Sequence, residues 1–161
     1  MNNKKSYFAG GCFWGVENCF KDKKGVVSTR VGYMGGEKEN PTYKEVCHQD
    51  TGHAETVEVI YNPQETSFKE LARFFFNIHD PTQENRQGVN IGSQYRSAIF
   101  YLNSHQKNIS RKLISTLKNK GYKIKTELKK ADRFWQAEEY HQDYFSKKGK
   151  TPACTTKERF R

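Results

Sequence analysis

No stretch of the 161 residues approaches the ~20 consecutive apolar residues of a membrane span, which excludes a transmembrane helix. The first residues, MNNKKSYFAGG, also lack the apolar segment of a signal peptide. We therefore expect a cytoplasmic protein, in which the four cysteines Cys12, Cys19, Cys47 and Cys154 rest as thiols. None of them are spaced C-x-x-C, which argues against a zinc knot and a thioredoxin-type motif. Asn108-Ile109-Ser110 has the form of a glycosylation sequon, which is idle in a cytosolic chain. Proline occurs four times, and no repeat, low-complexity tract or linker interrupts the sequence, so a single domain over residues 1–161 is expected. Nothing in the sequence suggests an obligate dimer, and a monomer is expected. Acidic residues are scarce near the end: residues 103–161 hold 6 against 16 basic ones, whereas residues 1–102 hold 12 of each. The net charge of +10 thus resides in the last third, read as a solvated lysine-rich helix face in preference to a nucleic-acid site.

Aromatic residues are plentiful, with eleven Phe and nine Tyr to carry the core, while 29% charged residues make the surface polar. SYFAG reads as a strand from Ser6 to Ala9. Val16, Cys19 and Phe20 then fall on one face of a short helix, which makes Cys19 a core residue. A second strand runs from Val26 to Tyr33, and a loop leads through TYKEV. In HAETVEVIY the period of two sets Glu55 on the same face as Val57, Val59 and Tyr61. Ser67 and Glu70 form a capping-box pattern ahead of a helix that ends at Asp80-Pro81. A strand over 96–102 follows, then a helix from Ser104 to Lys120 that stops at Gly121. KIKTEL adds a strand and AEEYHQDYFSKK a last short helix. The order β-α-β-β-α-β predicts an α+β fold, a two-layer sandwich with a ferredoxin-like (split βαβ) core. From Gly149 to Arg161 we expect a mobile tail.

The segment GGCFWG places Cys12 where a strand turns into a helix. A thiol there meets unpaired N–H groups and the positive end of the helix dipole, which favour the thiolate. The glycines leave room for a substrate, and Phe13 and Trp14 can wall an apolar pocket. A carboxyl on the apolar face of a strand is desolvated, so Glu55 is expected to hold a proton near neutral pH and serve as a general acid. A thiolate, a proton donor and an aromatic cage suit a sulfoxide, whose sulfur is electrophilic and whose oxygen leaves once protonated. Tyr43 and Tyr95 can donate to that oxygen.

GGCFWG, NPTYKEVC, TGHAETVEVIY, HDPTQENRQG, GSQYRSAIFY and EEYHQDY, in this order over nearly the whole chain, resemble the A-class peptide methionine sulfoxide reductases. The resemblance implies reduction of the S epimer of methionine sulfoxide, free or in proteins, without a bound cofactor. It implies that Cys12 attacks the sulfur, Glu55 protonates the oxygen, Tyr43 and Tyr95 bind that oxygen, and Phe13 and Trp14 hold the methyl group. Cys12 is left as a sulfenic acid, which a resolving cysteine converts to a disulfide that thioredoxin, or dithiothreitol in vitro, reduces. Cys154, the only cysteine in the tail, is the expected resolver, with Cys47 as alternative. Some members carry two tail cysteines, so a second disulfide exchange is not expected. Asn90 stands where many members have an acidic residue, so it adds no charge beside the substrate and should ease thiolate formation.

Two other readings remain at this level. One is a cysteine hydrolase or acyltransferase with His53 or His79 as base. The other is an RNA-binding module that stacks bases on Phe134, Trp135, Tyr140, Tyr144 and Phe145.

Overall fold

The computed structural model describes residues 2–48 and 51–161. Its strands and helices are β1 (Lys4–Gly10), α1 (Phe13–Lys21), β2 (Val26–Met34), α2 (Tyr43–His48), β3 (Ala54–Tyr61), α3 (Phe68–Ile78), β4 (Arg86–Gln87), β5 (Asn90–Ile91), β6 (Ser97–Tyr101), α4 (Ser104–Asn119), β7 (Glu127–Lys130), β8 (Trp135–Gln136) and α5 (Tyr144–Lys147). Six strands form a mixed sheet in the order β7-β6-β1-β3-β2-β8, antiparallel except for the β6–β7 pair. Its middle, β6-β1-β3-β2, interleaves the two β-α-β halves of the sequence. Among the described residues, no helix is long and apolar enough to cross a membrane.

Helices α1, α3 and α4 cover one face of the sheet. Phe8, Val57 and Val59 meet Phe13 and Phe20 from α1, Leu71 and Phe75 from α3, and Leu117 from α4 in one buried cluster. The opposite face is buried by irregular chain: Phe134 lies against Tyr7 at 5.4 Å between ring centroids, beside Ala9, Met34 and Phe100. Strand β3 is therefore covered on both faces, and its alternation sorts its two glutamates onto opposite sides. Glu58 is 1% exposed, yet it accepts from Tyr7 Oη at 2.8 Å and Arg30 Nε at 2.7 Å. Burial pushes its pKa up, but those two partners outweigh burial and hold the carboxyl below its ordinary value.

The local signals explain most boundaries. Ser67 Oγ accepts from Glu70 N at 3.1 Å to start α3, Asn103 Oδ1 accepts from Gln106 N at 2.9 Å to start α4, and Gly121 leaves α4 at φ +100°. TYKEV is not a loop. Thr42 and Glu45 cap one another, with Thr42 N to Glu45 Oε1 at 3.0 Å and Glu45 N to Thr42 Oγ1 at 3.2 Å, which starts α2. AEEYHQDYFSKK is not one helix either: a single turn over Glu139–His141 and the short α5 are separated by Asp143, whose φ is +50°. Its N–H donates to Glu17 Oε1 at 2.9 Å, which holds the break in place. After Gly149 the tail lies along the helices: Lys157 N donates to Asn77 O at 2.8 Å, and Arg159 Nη1 to Phe76 O at 2.9 Å.

Candidate active site

Strand β1 ends at Gly10, where a Cβ would lie 3.0 Å from the Phe75 ring and 3.1 Å from the His79 ring. Gly11, at φ +105°, then swings the chain into α1, which only glycine does without strain. Cys12 caps α1, its carbonyl accepting from Gly15 N at 3.2 Å and Val16 N at 3.3 Å. The next N–H, that of Phe13, donates to Glu55 Oε1 at 3.1 Å, so the end of α1 and the middle sheet meet at this carboxyl.

Glu55 is 1% exposed, and its Oε2 is buried with no hydrogen-bond partner in the structure. Burial raises its pKa to about 7, against the opposing pull of the Phe13 N–H. This is the protonation expected from its place on the strand. Cys12 departs from expectation. Its pKa is raised to about 11, first by burial and then by the charge of Glu55, and the Trp14 and Gly15 N–H groups offset these only in part. A helix terminus favours a thiolate only as far as water and neighbours allow; here burial takes most of the water from the thiol and the Glu55 carboxyl lies close by.

Tyr43 and Tyr95 converge on the same place. Burial raises both hydroxyl pKa values, Tyr95 to about 12, and the Glu55 carboxyl adds to the rise in each. Both remain protonated donors across the physiological range. Cys47, on α2 and half-buried, sits beside Tyr43. Among the described residues, no group of three or more His, Cys, Asp or Glu could hold a metal ion.

The two aromatics after Cys12 take different positions. Phe13 is fully buried, 5.7 Å from the Tyr33 ring and 6.4 Å from the Tyr43 ring. Trp14 is half-buried, stacked on Tyr144 at 3.7 Å and 5°, and its Nε1 donates to His141 Nδ1 at 2.9 Å. His141 must be neutral to accept that bond, and burial lowers its pKa accordingly. Glu138 accepts from Tyr33 Oη and from Tyr43 N, both at 2.9 Å. Glu138 and His141 were not singled out in the sequence, and Tyr144 only as a base-stacking aromatic of the RNA reading. The signal was present in EEYHQDY, where three acids, a histidine and two tyrosines fall within seven residues, but it reads equally as an amphipathic helix. Asn90 lies on β5 opposite Gln87 of β4, and it is Gln87 that reaches the cleft beside Cys12.

That cleft, of about 280 Å³, runs from Cys12 past Gly15, His79 and Gln87 to Cys19 and Cys154. Cys19 and Cys154 are joined in a disulfide with Cα atoms 5.2 Å apart. Two expectations are corrected: Cys19 is half-buried on the cleft wall and not a core residue, and not all four cysteines are thiols. The cause is spacing: seven residues bring Cys19 round to the face of α1 that carries Cys12, and the tail crosses that face.

Neither histidine of the hydrolase reading is free to act as base. His53 bonds Gly36 N at 3.0 Å and Lys38 O at 2.6 Å. His79 bonds Phe75 O and Ser97 Oγ, each at 2.7 Å, and is held neutral by burial, with a pKa of about 4. The aromatics of the RNA reading are mostly engaged too, Phe134 on Tyr7 and Tyr144 on Trp14.

Comparison with known proteins agrees with this geometry. The family model described as peptide methionine sulfoxide reductase matches residues 4–160. The peptide methionine sulfoxide reductase MsrA of Methanosarcina acetivorans is 51% identical over 149 residues, covering 91% of this chain and 79% of that one. The crystal structure of Mxr1 from Saccharomyces cerevisiae in reduced form superposes with a TM-score of 0.86 at 39% identity, covering 94% of this chain and 89% of the yeast chain. Mxr1 in complex with Trx2 matches with a TM-score of 0.63 at 27% identity, over 98% and 90% of the two chains.

Proposed function

The chain belongs to the A-class peptide methionine sulfoxide reductases, the peptide-methionine (S)-S-oxide reductases, and from that premise we propose how its residues divide the reaction. Cys12 Sγ attacks the sulfoxide sulfur while Glu55 gives its proton to the oxygen. The S–O bond breaks as oxygen passes to Cys12, leaving methionine, a Cys12 sulfenic acid and an ionised Glu55. The observation that carries this assignment is Glu55 itself, a buried carboxyl with one oxygen fixed by Phe13 N and the other without a partner. Tyr43 and Tyr95 donate to the sulfoxide oxygen. Trp14, held by His141 and Tyr144, presents its ring to the methyl group, with Phe13 packed beneath. Asn90 acts at one remove, through the hairpin that carries Gln87. The interleaved strand order supports reading the core as split βαβ.

Cys154 is the proposed resolver, attacking the sulfenic acid to form a disulfide and water. Thioredoxin is the proposed reductant, a reading supported by the yeast relative's complex with Trx2. The substrate is methionine sulfoxide, free or in proteins. The test follows each epimer by chiral chromatography with dithiothreitol. Loss of the S epimer alone, absent in Cys12→Ser, is expected; survival of both epimers with folded protein would refute the assignment.

The pH dependence follows from the paired titration. Attack needs a proton on Glu55 and none on Cys12, so the rate tracks the population in which the pair holds one proton, whichever group carries it more often. That population grows as pH rises through about 7 and falls through about 11. We expect kcat/KM for the sulfoxide to climb with pH to a plateau above 7. A rate independent of pH from about 5 to 8 would contradict the pairing.

A further inference from the structure

We propose that Cys19 is a second recycling cysteine: it takes the disulfide from Cys12 by way of Cys154 and presents it at the surface for reduction. The proposal rests on the reading that Cys12 becomes a sulfenic acid.

Three observations carry it. First, Cys12, Cys19 and Cys154 line one cleft, with Cys19 and Cys154 already bonded to each other and Cys12 a free thiol. Second, Cys12 and Cys19 cannot bond directly. Seven residues along α1 separate them by a rise of ~10.5 Å, beyond the roughly 4.4–6.8 Å between Cα atoms that a disulfide spans. A carrier is required, and Cys154 is the cysteine on the segment that crosses both. Third, that segment is lightly held. Its flanking ties are Lys150 N to Phe145 O and Lys157 N to Asn77 O, both 2.8 Å. Between these ties, among the described residues, the hydrogen bond holding it is the exposed one from Asn18 Nδ2 to Pro152 O at 3.0 Å. Residues 151–158 are exposed apart from half-buried Cys154, so moving them exposes no core.

The steps balance. The Cys154 thiol attacks the Cys12 sulfenic acid, forming a Cys12–Cys154 disulfide and releasing water. The Cys19 thiolate then attacks the Cys154 sulfur, forming Cys19–Cys154 and expelling Cys12 as thiolate. Two thiols are oxidised for each sulfoxide reduced, and a dithiol reductant such as thioredoxin restores them. Cys12 is thereby free for another sulfoxide before any reductant arrives.

This makes a stoichiometric test possible. Fully reduced protein, freed of reductant, is mixed with excess (S)-methionine sulfoxide; methionine is counted per chain and the disulfides are mapped by mass spectrometry. Wild type is expected to release two methionines and to end with Cys19–Cys154 bonded. Cys19→Ser should release one, a twofold loss, and stop with Cys12 bonded to Cys154. Cys154→Ser should also release one, with Cys19 still a thiol. One methionine from wild type with Cys19 unbonded, or two from Cys19→Ser, would overturn the role of Cys19 alone. No methionine from folded wild type would overturn the reductase reading beneath it.

Discussion

Glu55→Gln is expected to lower kcat/KM for methionine sulfoxide by about 10²–10⁴-fold, the usual contribution of a positioned general acid. The amide is isosteric, so its oxygen still accepts from Phe13 N and the end of α1 stays joined to β3. What it cannot do is transfer a proton to a departing oxygen. The same change should move Cys12 the other way. The Glu55 charge is the second cause, after burial, of the rise to about 11, and without it the thiol ionises at lower pH. A variant with a more easily formed thiolate and a far lower rate separates acid catalysis from mere support of the nucleophile. Thiolate absorbance against pH and kcat/KM on the same protein check both halves. A loss below about tenfold would sink the general-acid role.

The route to Glu55 shows what a sequence makes legible. Strand periodicity alone sets Glu55 with Val57 and Val59 and sets Glu58 opposite, and both turn out buried. Periodicity cannot say which carboxyl meets a cation. Arg30 faces Glu58 across the β2–β3 register, and a cross-strand partner is fixed by topology that the local pattern does not carry. One glutamate is thus held ionised and the other near pH 7. The order of strands and helices was legible because its signals are local: the alternation of β3, the Ser67 cap, the turn at Gly121. The two-residue strands β4, β5 and β8 were not, being too short to show a period and defined by their partners.

The site divides along the same line. Cys12 and Glu55 stood out because their chemistry is unusual for their local setting, Tyr43 and Tyr95 as the donors a sulfoxide oxygen would need, and the structure places the four near one another. The Cys12 titration was misjudged because helix position is local whereas desolvation depends on everything packed around the thiol. Cys19 was taken for core because Val16 and Phe20 share its helix face, and it takes the tail, 135 residues later, to reveal a bonded partner.

Gln142→Ala is expected to cost about 2–4 kcal/mol, because two buried backbone groups lose their partners. Beyond Gly32 and Tyr33, strand β2 finds no β8 residue to pair with Val31, and the Gln142 amide takes that place. Its Oε1 accepts from Val31 N at 2.9 Å, and its Nε2 donates to Val31 O at 2.9 Å and Ala137 O at 3.0 Å. Val31 O keeps a second donor in Ala137 N at 2.9 Å, so the groups orphaned are Val31 N–H and Ala137 C=O. Water cannot readily replace the amide, since Val31 is fully buried and Ala137 is 5% exposed. For a chain of this size the melting temperature should fall by about 5–15 °C, and a shift under about 2 °C would refute the account. The damage should also reach the reaction. Gln142 fixes the corner that carries Glu138, His141 and Tyr144, and through them the placing of Tyr43 and the Trp14 ring. Measured well below the melting transition, the variant should bind sulfoxide more weakly, with KM rising more than kcat falls, because the methyl wall loosens while Cys12 and Glu55 remain joined through Phe13.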